Sequence, residues 1–394
     1  MRLAIITTHP IQYYAPIFQL LHQRKKVEIK VFYTLGQPDS AKFDPGFGRE
    51  VSWDIPLLDG YPFEWMENTS MRPSTRHFKG IITPMLIDHI TAWRADAVLV
   101  IGWAYQGHLK AIRHFKNKMP VYFRGDSTLM SQHKAIKKIL KLFFLRWVYS
   151  HIGHAFYVGK NNKAYFKAYG LKETQLSFTP HAIDNNRFAQ DRAAEAQRLR
   201  FSLNIKSDDI LILFAGKFEP VKDAGTLLIA FENLSREKVH LLLAGNGIDE
   251  HRLKEKAKRS QAAERIHFMN FQNQSYMPVL YQACDLFCLP SLSETWGLSV
   301  NEAMACGKAV LASNKVGCAA DLITEGKNGM TFLQGNPNDL GSALKEMTSS
   351  KEILAKFGEH SRKVIGDWTF EKIAVEIENV SLRERPEDQD PHYS

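Results

Sequence analysis

Short apolar runs recur along this chain, each followed by a turn signal and then by a longer stretch with helical spacing of its apolar positions. In the first half these runs are 3–6, 28–33, 97–101, 120–123 and 154–158. In the second they are 209–215, 239–244, 265–269, 285–289, 308–312 and 329–333. Strands alternating with helices predict an α/β protein with parallel sheets and crossover helices, one sheet in each half. The region 36–80 follows neither period; rich in Pro, Gly and aromatics, it reads as an irregular insertion. A boundary is expected near Thr179-Pro180-His181-Ala182-Ile183-Asp184, where a strand-like run ends in proline and a charged helical stretch precedes a fresh strand. The expected division is 1–185, 186–366, a helix over 367–383 with the option of packing back on the first domain, and a polar, disordered tail over 384–394.

Composition narrows the class. At 394 residues, 44% hydrophobic and 24% charged, the chain has apolar material for two cores. No apolar stretch reaches the roughly 18 residues of a membrane span, and no basic-then-apolar leader opens the chain, so a cytoplasmic protein is expected. Cys284, Cys288, Cys306 and Cys318 match no zinc spacing and read as packed, reduced thiols; no metal site is expected. The net charge of +9 is uneven: residues 1–185 hold 25 Lys+Arg against 13 Asp+Glu, the remainder 26 against 29. A basic first half points to an anionic partner: nucleic acid, an acidic membrane surface or a phosphorylated lipid. Nucleic acid is set aside, because the basic residues are scattered among helices with no reading motif.

The candidate chemistry lies at the ends of strand runs. The run 210–215 ends in Gly216-Lys217-Phe218-Glu219-Pro220-Val221-Lys222-Asp223, which places two ammonium groups at a strand's carboxyl end just before a helix. The next run ends in a second glycine-bearing turn, Gly245-Asn246-Gly247. The richest segment is Pro290-Ser291-Leu292-Ser293-Glu294-Thr295-Trp296-Gly297-Leu298, leading into a helix that carries Glu302. Two carboxylates on one side of a crevice suit a polyhydroxyl ligand, and the free N–H groups at Gly297 and Leu298 suit a phosphate. By contrast, the first strand turn, Thr8-His9-Pro10-Ile11-Gln12-Tyr13-Tyr14, has no glycine. Pro10 is expected in the first helical turn, with Thr8 or His9 as the cap.

Glu294 to Glu302, eight positions apart inside PSLSETWGLSVNEAMACGKAVLAS, resembles the motif of retaining nucleotide-sugar glycosyltransferases of family 4, also called glycosyl transferases group 1. AGKFEPVKD is similar to that family's phosphate motif, and the likeness is dense from about 209 to 334. The resemblance implies a GT-B fold, with two Rossmann-like domains facing across a cleft. It implies transfer of a sugar from a nucleoside diphosphate sugar to a glycan or lipid-linked acceptor, without metal or cofactor, in envelope or surface polysaccharide synthesis. By position it implies that Lys217 and Lys222 meet the donor diphosphate and Glu302 the ribose. Glu294 would meet the transferred sugar, with the backbone at Gly216, Gly245 and Trp296 to Leu298 close by. Two departures stand out: Lys217 replaces an arginine, and Asp223, here near the phosphates or capping the helix, replaces a glycine.

In the first half, Arg124 and Asp126 are candidates for touching the reacting sugar, with a structural ion pair as the alternative. His9, Gln12 and Tyr13 are assigned to the first domain's wall of the cleft on the acceptor side, with a tightly packed strand–helix corner as the alternative, and His181 is assigned to the hinge of the cleft rather than to a ligand. The basic, aromatic stretch 133–147 admits two readings: a helix lying on an anionic membrane, or a buried crossover helix with a solvated basic face. Two rivals to the transferase remain, a nucleotide-sugar epimerase and a catalytically inactive nucleotide- or glycan-binding module.

Overall fold

The computed structural model of the protein describes residues 1–36, 42–44, 49–130 and 135–383. The tail 384–394 and the opening of the 133–147 stretch lie outside them. The chain forms two units. One is built from Met1–Ser40, Pro56–His181 and Phe370–Ser394, the other from Ala41–Ile55 and Ala182–Thr369.

In chain order the first nine strands are β1 (Arg2–Thr7), β2 (Glu28–Tyr33), β3 (Lys42–Asp44), β4 (Arg49–Val51), β5 (Phe63–Trp65), β6 (Ala97–Ile101), β7 (Val121–Arg124), β8 (His154–Tyr157) and β9 (Leu176–Phe178). β3 and β4 pair antiparallel with each other. The others form one parallel sheet of the first unit in the order β5-β2-β1-β6-β7-β8-β9. Its centre is buried on both faces, which is why β1 and β6 are unbroken apolar runs. The edge strands β5 and β9 are three residues each and were not visible as apolar runs.

The second unit contains β10 (Ile210–Ala215), β11 (Val239–Ala244), β12 (Ile266–Met269), β13 (Leu286–Leu289), β14 (Ala309–Ser313) and β15 (Gly329–Phe332). They form a parallel sheet in the order β12-β11-β10-β13-β14-β15. The chain runs outward from β10 through β11 to β12, then returns to the other side of β10 with β13. The gap between β10 and β13 is therefore the switch point at which such sheets hold ligands. Register brings the loops together there: Ala215 pairs with Ala244 and Leu213 with Phe287, so the turns after β10, β11 and β13 leave the sheet side by side.

Helices close each unit. The helix Ala224–Glu232 buries Leu227, Leu228 and Phe231 on the second sheet. In the first unit the helix Phe370–Arg383 buries Phe370, Ile373, Ala374 and Ile377. Arg24, at the end of the helix Ala15–Arg24, donates through Nε to both carboxylate oxygens of buried Glu378 and also pairs with Glu371. The four cysteines are free and buried, and burial pushes the Cys284 thiol up to about 12.

Candidate functional site

In the second unit, β10 delivers Gly216 and Lys217 to the switch point. The backbone then makes a short turn over Pro220–Lys222 and enters the helix Ala224–Glu232. Asp223 has φ +50°, a left-handed conformation that glycine adopts without strain, and its carboxylate caps the helix by accepting from the Thr226 N–H. Burial raises its pKa, against the hydrogen bonds from Thr226 that lower it. Of the two roles open to Asp223, it is the cap that its hydrogen bond makes.

The turn after β11 is laced to this one. The Gly216 N–H donates to the Ala244 carbonyl and the Phe218 N–H to the Asn246 carbonyl. A Cβ on Gly245, at φ +147°, would overlap the Gly216 carbonyl oxygen. Gly245 is required for this close approach of two backbones.

The loop after β13 lies on the other side of β10. The Leu292 N–H donates to the Val221 carbonyl, the Glu294 N–H to Lys315, and the Gly317 and Cys318 N–H groups to Glu294 and Trp296. A loop tied at so many backbone points holds its side chains in place. Glu294 forms an ion pair with Lys222, both side chains about one-fifth to one-quarter exposed (19% and 24%). The contact spans 72 residues of sequence and joins the loops on the two sides of the switch point.

Gly297, at φ +96°, opens the helix Leu298–Ala305. The Trp296 ring is buried: its indole N–H donates to Asn301 and its face lies against Trp368. The backbone of 296–298, rather than the indole, is thus the part of this segment at the helix start. Glu302, in the second turn, is 3% exposed and accepts a hydrogen bond of 2.8 Å from the Tyr281 hydroxyl. Tyr281, on the helix Met277–Ala283, escaped sequence reasoning because a tyrosine among apolar residues reads as core. It is fully buried, as core would be, but its hydroxyl fixes a carboxylate.

In the first unit a second group gathers at the carboxyl ends of the strands. The glycine-free turn after β1 is irregular as far as Tyr14. The helix starts at Ala15, with Pro16 rather than Pro10 in its first turn and no side-chain cap. Thr8 bonds the His9 ring instead, so neither caps that helix. His9 and Tyr13 are half-buried here. Arg124, at the end of β7, is 1% exposed. Its guanidinium donates to the Thr179 carbonyl and hydroxyl and to the Pro180 carbonyl. Tyr14 and Asp126 surround it: burial raises the Tyr14 pKa, with Arg124 opposing and Asp126 reinforcing. Tyr14 stacks on His181 with ring centroids 6.3 Å apart. Burial, helped by the positive charge of Arg124, depresses His181 to about 4, so its imidazole is neutral at physiological pH. The geometry gives Arg124 a grip on the backbone of 179–180, the segment just before the chain passes into the second unit.

Among the described residues, no cluster of His, Cys, Asp and Glu has the geometry of a metal site, and no helix is long and apolar enough to cross a membrane.

Residues 195–364 match the family model described as Glycosyl transferases group 1. D-inositol 3-phosphate glycosyltransferase 2 of Catenulispora acidiphila is 30% identical over 209 residues, covering 50% of this chain and 47% of that protein. Mannosylfructose-phosphate synthase of Agrobacterium fabrum is 26% identical over 214 residues, covering 51% and 46%. The chain thus matches about half the length of these curated relatives. Among solved structures, HepE of Anabaena in complex with UDP superposes with a TM-score of 0.73 at 17% identity, covering 97% of this chain and all of that one. Sucrose-phosphate synthase of Thermosynechococcus elongatus gives 0.73 at 16% identity, covering 97% and 98%. The loops at the switch point fall inside the matched segment: residues 195–364 are a Glycosyl transferases group 1 domain, in a chain with the GT-B fold of two Rossmann-like, parallel-sheet units.

Proposed function

We propose that the protein is a family 4 glycosyltransferase that moves a sugar from a UDP-type nucleoside diphosphate sugar to a glycan or lipid-linked acceptor. Configuration is retained, and the product is part of an envelope or surface polysaccharide. The observation that carries this reading is the Lys222–Glu294 pair. In a nucleotide sugar the anomeric carbon is bonded to a phosphate oxygen, so a group for the phosphate and a group for the sugar hydroxyls must be neighbours. Here they touch. The relatives support the donor class: HepE has been crystallised with UDP and with UDP-glucose.

In this reading Lys217 and Lys222 meet the charge on the leaving diphosphate, together with the N–H groups of 297–298, and no metal is needed. Glu302, oriented by Tyr281, accepts from the ribose hydroxyls. Glu294 leaves Lys222 to accept from the hydroxyls of the transferred sugar. The acceptor oxygen attacks the anomeric carbon on the face from which the diphosphate departs. As that carbon–oxygen bond breaks, the departing phosphate oxygen takes the acceptor's proton. His9 and Tyr13 serve the acceptor, Asp126 meets the reacting sugar, and Arg124 holds the backbone of 179–180.

The test is a nucleotide-sugar panel assayed for release of free nucleotide in the presence of EDTA, with NMR of the sugar product. One donor should be hydrolysed slowly without acceptor, giving first the retained anomer. An epimerised nucleotide sugar, or no turnover and no thermal stabilisation with any donor, overturns the proposal.

A further inference from the structure

We propose that the outward face of the helix Ala135–Tyr149 is a docking surface for an anionic lipid bilayer. This goes beyond the donor chemistry and does not depend on it. Leu145, Val148 and Tyr149 pack into the core of the first unit. The opposite side is apolar too: Ile139 is 57% exposed, Leu140 and Phe143 68%, Phe144 45% and Trp147 41%. At 3.6 residues per turn these five fall within an arc of about 140°. The solvent-facing side chains from 139 to 147 are therefore mostly aliphatic and aromatic. A helix apolar on both sides needs cover on both.

The surroundings identify the cover. Trp103 extends the ridge by an edge contact to Phe144, with centroids 5.7 Å apart, and the Arg113 guanidinium lies 5.3 Å over the Trp147 ring. Lys110, Arg113, Lys116 and Lys118 are exposed on and just beyond the neighbouring helix Gln106–Phe115, and Arg146 is exposed beside the ridge. Across residues 97–172 the sequence holds fourteen Lys and Arg and a single acid, Asp126. That acid acts on buried Arg124. A second copy of the chain would bring two such cationic surfaces together, which like-charge repulsion opposes. An anionic bilayer supplies both missing halves: an apolar layer for Ile139, Leu140, Phe143 and Phe144, and a negative headgroup plane for the basic rim. Trp147 and Trp103 suit the boundary between the two.

The experiment uses the full chain and vesicle sedimentation. Mixed phosphatidylcholine and phosphatidylglycerol vesicles should carry the protein down, and pure phosphatidylcholine vesicles should do so far less. The double variant Phe143→Ser, Trp147→Ser should weaken partitioning at least about tenfold, because two aromatic side chains no longer leave water. Its melting temperature should be unchanged, since neither side chain is in the core. Three results overturn the proposal: no vesicle binding, binding that the double variant leaves intact, or a concentration-dependent dimer in ultracentrifugation that the double variant abolishes.

Discussion

Replacing Lys222 by alanine removes the ammonium group that pairs with Glu294. Two unit charges about 4 Å apart attract by about 4 kcal/mol at an effective dielectric of 20, before desolvation is subtracted. With both side chains partly exposed, the net worth of the pair to folding is about 1 kcal/mol or less. The melting temperature should therefore move by only a few degrees. Turnover should move much more. In the proposed function the lost charge faces the departing diphosphate, and loss of one such contact costs about 2–4 kcal/mol of transition-state stabilisation, or roughly 30- to 1000-fold in kcat/KM. Part of that loss arises because the Glu294 carboxylate, left without its partner, now faces the donor phosphates. Glu294→Gln on the Lys222→Ala background should recover about 1–2 kcal/mol, so the double variant should be about tenfold better than the product of the single losses. Steady-state kinetics on the four proteins measure this. Wild-type kinetics in Lys222→Ala, or single effects that add to within about 0.5 kcal/mol, would refute a functional unit.

The other predictions concern separate parts of the molecule. Tyr281→Phe should weaken free UDP binding about three- to tenfold in calorimetry while leaving the fold intact, and Glu302→Gln should do the same; Glu294→Gln should spare UDP affinity and lower turnover. Gly245→Ala should lower the melting temperature by about five degrees or more, roughly 2 kcal/mol or above, because its Cβ meets the Gly216 carbonyl oxygen in a left-handed conformation. Burial holds His181 and His108 at about 4 in the folded protein, below the ordinary histidine value, so stability present above pH 6.5 is lost as the pH falls towards 4. Each histidine contributes at most about 1.4 kcal/mol per pH unit. Urea unfolding at pH 7.5, 6 and 5 measures the slope, and His108→Gln should flatten it; a flat profile in the wild-type chain would contradict the buried, neutral state.

The sheets were legible because a doubly covered parallel strand must be a continuous apolar run, and all eleven such runs in the sequence are strands. β5 and β9 were not legible. An edge strand of three half-buried residues, such as Phe63-Glu64-Trp65, has too little periodicity to separate it from a loop. The start of the first helix was misplaced onto Pro10 because Pro10 and Pro16 both fit a first turn, and the choice depends on how the chain packs after β1. At the candidate site, the spacing of Glu294 and Glu302 is a local property that the sequence carries openly. The partners are not: Lys222 is 72 residues from Glu294, and Tyr281 is 21 from Glu302. Such contacts are set by strand order, which nothing in a local pattern records.

The last described helix bears on how the protein comes into being. Phe370–Arg383 is made after the whole second unit, yet its Ile373, Ala374 and Ile377 complete the interior of the first, and its Glu378 is the buried counter-charge of Arg24. On the ribosome, the first unit must therefore wait, unfinished, while some two hundred residues of its neighbour are synthesised and begin to fold. Strand pairing and crossover packing can form early, but the groove that will receive this helix stays open, with the Arg24 guanidinium at its rim. Emergence of residues 370–383 is what completes the first unit, so a ribosome that stops before residue 370 leaves the second unit finished and an older one still missing a wall.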